Sequence, residues 1–184
     1  MSEIKTNKIS SLASNNDITI DPDGTGLFLP NRTPTFFAEL NSDQTISDAT
    51  ETVVQFNSED FDIGGIWDTS NYRLTVDADT VGYYFMSCFI FTSGSANIED
   101  QYIRLRKNGS VYIENKNQAV VSSAAVSTTD ATHSFGAVIP LLSSGDYADV
   151  TLFSDRSSGG TVVVNQISTS RTRTYLSGFR MGGA

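Results

Sequence analysis

The stretch Tyr83-Tyr84-Phe85-Met86-Ser87-Cys88-Phe89-Ile90-Phe91 decides how this chain is read. Its aromatic and β-branched residues favour a strand, and a membrane helix needs about 20 apolar residues. In a strand, Tyr84, Met86, Cys88 and Ile90 point to one face and Tyr83, Phe85, Phe89 and Phe91 to the other. Neither face is polar, although a strand of an isolated sandwich keeps one face wet. No window of helical periodicity offers a helix to cover the second face. The expected cover is another copy of the chain, meeting it through Tyr83, Phe85, Phe89 and Phe91.

Short strand signals separated by turn signals flank this run on both sides. Before it stand Phe36 to Leu40, Thr52 to Phe56, Ile63-Gly64-Gly65-Ile66-Trp67 and Tyr72 to Val76. After it comes a hairpin, Tyr102 to Ile113, in which Ile103 and Leu105 share one face and Arg104 and Arg106 the other. Asn108-Gly109 supplies the positive φ angles of its type I′ turn. Ser134 to Leu141, Ala148 to Phe153, Gly160 to Ile167 and Thr172 to Met181 complete the series. Nine or ten strands in about 150 residues predict an all-β fold, a two-sheet antiparallel jelly-roll sandwich over residues 33–184.

Residues 1–32 read differently. Two short alternating pieces, Ile4 to Ile9 and Ile18 to Ile20, precede the turn-rich Asp21-Pro22-Asp23-Gly24-Thr25-Gly26 and the small apolar patch Leu27-Phe28-Leu29-Pro30. Such a segment buries little apolar surface alone and needs a partner to order it. It is expected to be an extended attachment arm, docking through Ile4, Ile9, Ile18, Ile20, Leu27 and Phe28.

Composition narrows the function. The 184 residues hold one Cys, one His and one Trp, which leaves no Cys/His metal cluster and no disulfide framework within the chain. Acidic residues outnumber basic ones by 21 to 12, the reverse of what a phosphate-backbone binder wants. Charged residues make up 18% of the chain, below the roughly 25% of an average soluble protein, while 44 residues are Ser or Thr. The polar start, Met1-Ser2-Glu3-Ile4-Lys5-Thr6, lacks the apolar core of a signal peptide.

Catalytic candidates are thin. His133 sits between Thr132 and Ser134 near Asp130, but no G-x-S-x-G elbow surrounds any serine. Cys88, inside the apolar run, reads as a small hydrophobe. Asp21-Pro22-Asp23-Gly24 begins like a calcium loop and lacks the acidic residues that complete one. Glu59, Asp60 and Asp62, or Glu99 and Asp100, would serve a carbohydrate hydrolase only as pairs facing each other at the right separation. Asn108-Gly109-Ser110 matches a glycosylation sequon, and Arg171 and Arg173 suit pairing with acidic groups. No glycine-rich loop opens a helix to cradle phosphate. The chain is expected to be no enzyme and to need no cofactor.

Order and punctuation together resemble the tumour-necrosis-factor-like and complement globular-head jelly rolls over about residues 34–182. The resemblance rests on Phe36-Phe37-Ala38, on Val54-Gln55-Phe56 followed by Asp62 to Asp68, and on Tyr72 to Val76 followed by Gly82-Tyr83-Tyr84-Phe85-Met86. Leu105 to Gly109, Leu141 to Val150 with its Gly145-Asp146 turn, and Tyr175-Leu176-Ser177-Gly178-Phe179 continue it. It implies a homotrimer about a three-fold axis with the aromatic central strand near that axis, and it implies no catalysis. The arm resembles the openings of bacteriophage fibre and appendage proteins, through Ile4-Lys5-Thr6-Asn7-Lys8-Ile9 and Ile18-Thr19-Ile20-Asp21-Pro22-Asp23-Gly24-Thr25-Gly26. That implies a virion structural protein, a short fibre, adaptor or capsid decoration, made in a host cytoplasm and bound to other virion proteins. The alternative is a receptor- or glycan-binding head that attaches to a host surface through loops such as 93–100 or 122–132.

Overall fold

The structure, a computed structural model, describes residues 33–117, 129–166 and 174–183. Among these residues there are thirteen strands and no helix. In chain order, the first six are β1 (Thr35–Glu39), β2 (Gln44–Ser47), β3 (Thr52–Val53), β4 (Ser58–Ile63), β5 (Trp67–Asp68) and β6 (Arg73–Thr75). The long central strands are β7 (Gly82–Gly94), β8 (Ile98–Lys107), β9 (Ser110–Asn117), β10 (Ala131–Leu141) and β11 (Tyr147–Arg156). Two more, β12 (Thr161–Val164) and β13 (Tyr175–Gly183), close the series.

They form two antiparallel sheets. In the seven-stranded sheet β7 is central: β10 runs along one edge from Gly82 to Thr92. The other edge of β7 takes β13 and then β12. Beyond β13 lie β1 and β4, and beyond β12 lies β2. The six-stranded sheet has the order β5-β6-β11-β8-β9, with β3 also on β11. This is the expected all-β two-sheet jelly roll, built from strands that pair across long sequence separations.

Alternation fills the space between the sheets. Tyr84, Met86, Cys88 and Ile90 of β7 are buried there, facing a second layer that includes Ile103, Leu105, Val150 and Leu152. Trp67 stacks on Phe36 with ring centroids 4.8 Å apart, and its indole N–H donates to the Phe56 carbonyl at 3.1 Å, so its one polar atom is satisfied in the core. The β8–β9 hairpin turns at Asn108 (φ 50°) and Gly109 (φ 77°), as its Asn-Gly pair requires.

Three readings change. Ile63 to Trp67 is not one strand: β4 ends at Ile63, and Gly64 (φ 107°) and Gly65 (φ 65°) turn the chain into β5. Both carboxylate oxygens of Asp62 hold that turn, accepting from the Ile66 and Trp67 N–H groups at 3.0 Å each. Residues 93–100 are not an open loop either, since β7 runs to Gly94 and β8 starts at Ile98. Finally, Gln44 to Ser47 forms β2 on β12, a strand too short to stand out by alternation.

Candidate interaction surface

The outer face of the seven-stranded sheet carries an aromatic layer. Phe89, Phe85 and Tyr83 of β7 lie opposite Ser134, Val138 and Pro140 of β10, and Phe91 lies opposite Thr132. On the other side Phe89 pairs with Tyr175, and Phe85 with Phe179. Phe37 of β1 lies opposite Phe61 of β4. Residues directly opposite each other in antiparallel strands share a face, so these side chains form one surface.

Their rings touch in sequence across four strands. Phe61 meets Phe37 at 6.2 Å between centroids, Phe37 stacks on Tyr175 at 5.2 Å, and Tyr175 stacks on Phe89 at 6.3 Å. Phe85 and Phe179 form a second pair at 5.6 Å. Gly136 makes room for the Phe85 ring, which would lie 3.3 Å from a Cβ built there. The layer is far from covered: Phe61, Ile63, Tyr83 and Phe179 are each 46–47% exposed, and Val138 and Met181 are exposed beside them.

The outer face of the six-stranded sheet is the opposite in character. Arg106 forks onto Asp149 with two 2.7 Å bonds, and Arg104 donates to Glu114 at 2.8 Å and Glu51 at 2.7 Å. Lys116 pairs with Asp100 at 2.8 Å. Tyr102 stacks on Phe153 at 4.7 Å while the Arg104 guanidinium sits 4.2 Å from its ring centre. The hydrogen bonds that Arg106 donates to Asp149 raise its pKa above the ordinary value. That face meets water through paired charges, whereas the aromatic face has apolar surface to bury.

All four β7 residues anticipated as an interface, Tyr83, Phe85, Phe89 and Phe91, stand on this aromatic face. Phe37, Phe61, Ile63, Tyr175, Phe179 and Val138 belong with them and were not anticipated. Phe37, Tyr175, Phe179 and Val138 sit in strands whose inner face already carries buried apolar residues such as Phe36, Leu176 and Ile139, so local alternation gives no reason to expect an apolar outer face too. Phe61 and Ile63 lie in the acidic segment Ser58–Ile63, which does not read as a core strand. The docking residues Ile4, Ile9, Ile18, Ile20, Leu27 and Phe28 lie outside the described residues, as do Asp21 to Gly24, Arg171 and Arg173 and most of 122–132.

The candidate catalytic groups do not converge. His133 is buried, facing inward, while Thr132 and Ser134 face outward. Burial pushes its pKa down to about 4, and neither ring nitrogen has a partner. Burial raises the Cys88 thiol well above its usual range. Asp62 is committed to the Ile66–Trp67 turn and Asp100 to Lys116.

The sequence has no match among protein-family models and none among curated proteins. Solved structures do match. The globular domain of zebrafish complement 1qA protein superposes with a TM-score of 0.53 at 18% identity, over 82% of this chain and 99% of that one. The Eiger TNF of S. frugiperda gives 0.54 at 9% identity, over 83% of this chain and 94% of that one. Murine APRIL gives 0.52 at 14% identity, over 82% and 100%. At these identities the shared property is the fold, and the chain carries a jelly roll of the tumour-necrosis-factor and complement globular-head kind.

Proposed function

We propose that this chain is a non-catalytic assembly and binding protein: a homotrimeric jelly-roll head that residues 1–32 attach to a bacteriophage virion, as a short fibre, adaptor or capsid decoration. The observation that carries the trimer is the partly exposed aromatic face running through Phe61, Phe37, Tyr175 and Phe89, with Phe85 and Phe179 beside it. Exposed apolar area of this extent on a sheet is surface that association removes from water, at about 25 cal/mol per Å². Likeness in fold to complement and tumour-necrosis-factor heads supports the same reading.

The attachment role rests on the sequence of the arm. Three arms on one trimer raise the effective concentration at a multi-copy docking site, so that weak contacts sum to lasting attachment. Two measurements test the proposal. Light scattering of the full chain is expected to return three times the 19.9 kDa of one chain; a monomer at micromolar concentration overturns the trimer. Particles incubated with the full chain are expected to be decorated, and a variant with Ile4, Ile9, Ile18 and Ile20 changed to Ser is expected not to decorate them. Equal decoration by both removes the arm's role.

A further inference from the structure

The β8–β9 turn contains Asn108-Gly109, the peptide unit most prone to lose ammonia spontaneously, because Gly109 places no side chain in the way of ring closure. In an open chain the Gly109 backbone nitrogen attacks Cγ of Asn108. The carboxamide nitrogen leaves as ammonia with the proton that the backbone nitrogen gives up, and a succinimide forms. Water then opens that ring at either carbonyl, giving aspartate or isoaspartate. The net change is carboxamide plus water to carboxylate plus ammonium.

Here the Asn108 carboxamide is held at both ends by the chain entering β11, the strand that pairs with β8. Its Nδ2 donates to Asp146 Oδ1 at 2.8 Å, and its Oδ1 accepts from the Tyr147 N–H at 2.9 Å. The Asn108 backbone N–H donates to the Tyr147 carbonyl at 3.0 Å. Asp146 is itself fixed: Oδ2 accepts from the Leu142 and Ser143 N–H groups at 3.0 and 3.2 Å, and Lys107 Nζ lies 3.2 Å away. Lys107 also donates to the Pro140 carbonyl at 2.6 Å. The clasp therefore joins the hairpin turn to the loop between β10 and β11, and it is solvent-exposed, so water and base have access.

We propose that Asn108 is a deamidation site whose rate is governed by the Asp146–Tyr147 clasp, and that its conversion is a one-way release of the β8–β9 turn from the β10–β11 loop. Attack on Cγ requires the carboxamide to leave both partners. Once converted, the oxygen that replaces Nδ2 faces the Asp146 carboxylate, so a donor–acceptor contact becomes a like-charge one. The isoaspartate form adds a backbone methylene to a two-residue turn and removes its fit to the flanking strands.

The test is peptide mapping by mass spectrometry during incubation in mildly alkaline buffer. It compares the folded full chain, the Asp146→Ala and Asp146→Asn variants, and a free peptide spanning residues 104–112. With two hydrogen bonds to break, one of them to a carboxylate, the folded chain is expected to convert on the order of tenfold or more slowly than the peptide. Asp146→Ala is expected to move the rate most of the way toward the peptide, and Asp146→Asn, which keeps an acceptor, to fall between. Conversion of the folded chain at the peptide's rate overturns the proposal, as does an unchanged rate in a folded Asp146→Ala variant. If Asp146→Ala does not fold, the Asp146→Asn rate decides in its place. Asn108→Asp is expected to lower the melting temperature, and an unchanged value overturns the release.

Discussion

His133 is a neutral imidazole sealed in the sandwich, 2% exposed and without a hydrogen-bond partner on either nitrogen. It stands at the end of the core where polar side chains collect. Gln101 donates to Thr92 at 2.9 Å across the two sheets, and Arg156 donates to Ser154 at 3.1 Å and to the Ala96 and Thr129 carbonyls at 2.8 Å each. Burial lowers the folded-state pKa of His133 from 6.5 to about 4. The unfolded chain therefore takes up the proton first, and stability is full above pH 6.5 and falls as the pH drops toward about 4. A shift of that size corresponds to about 3 kcal/mol lost across the window. His133→Leu is expected to remove this part of the slope, read as urea midpoints at the two ends of the window. A wild-type slope that persists in the variant assigns it elsewhere. The same residue shows the limit of reading function from type: a lone histidine between Thr and Ser is a core residue because the register of β10 turns it inward.

At the scale of the element, β7 organises the molecule. Its thirteen residues pair with three strands, and its two faces do different jobs. The inner face packs the core. The outer face joins rings contributed by β1, β4 and β13. Close strand approach has a residue-level cause: a Cβ on Gly178 of β13 would stand 2.8 Å from the Phe85 carbonyl oxygen and 2.9 Å from the Phe36 ring. The glycine of the Tyr175 to Phe179 segment is there for space, since its backbone has no positive φ. The Asn-Gly hairpin was legible for a local reason, because turn chemistry is written in two adjacent residues. By contrast, the four-residue β2 leaves no signal of its own, while β12 falls within the expected strand Gly160 to Ile167, and the pairing that brings Gln44–Ser47 against Thr161–Val164 comes from across the chain.

For the whole molecule, the two outer faces set its relation to water. One sheet presents Arg104, Arg106 and Lys116 neutralised by Glu51, Glu114, Asp149 and Asp100. The other presents aromatic rings that are 46–47% exposed at Phe61, Tyr83 and Phe179. Replacing Phe85 and Phe89 by Ser on that face removes apolar area without touching the inner layer of Tyr84, Met86, Cys88 and Ile90. The double variant is expected to keep its strand content by circular dichroism and to sediment as a monomer. A variant that stays trimeric shows that another surface holds the copies together.

Alternation is a local property, so the sequence by itself determined the strand-rich class, the two-faced character of Tyr83 to Phe91, the inward set Ile103 and Leu105, and the Asn108–Gly109 turn. Only the tertiary structure decided that Phe37, Phe61, Tyr175 and Phe179 extend the β7 aromatics into one surface. The physical reason is that neighbours on a sheet face come from strand pairing. The register that sets Phe37 beside Tyr175 joins residues near opposite ends of the chain, a relation that no local window of sequence contains.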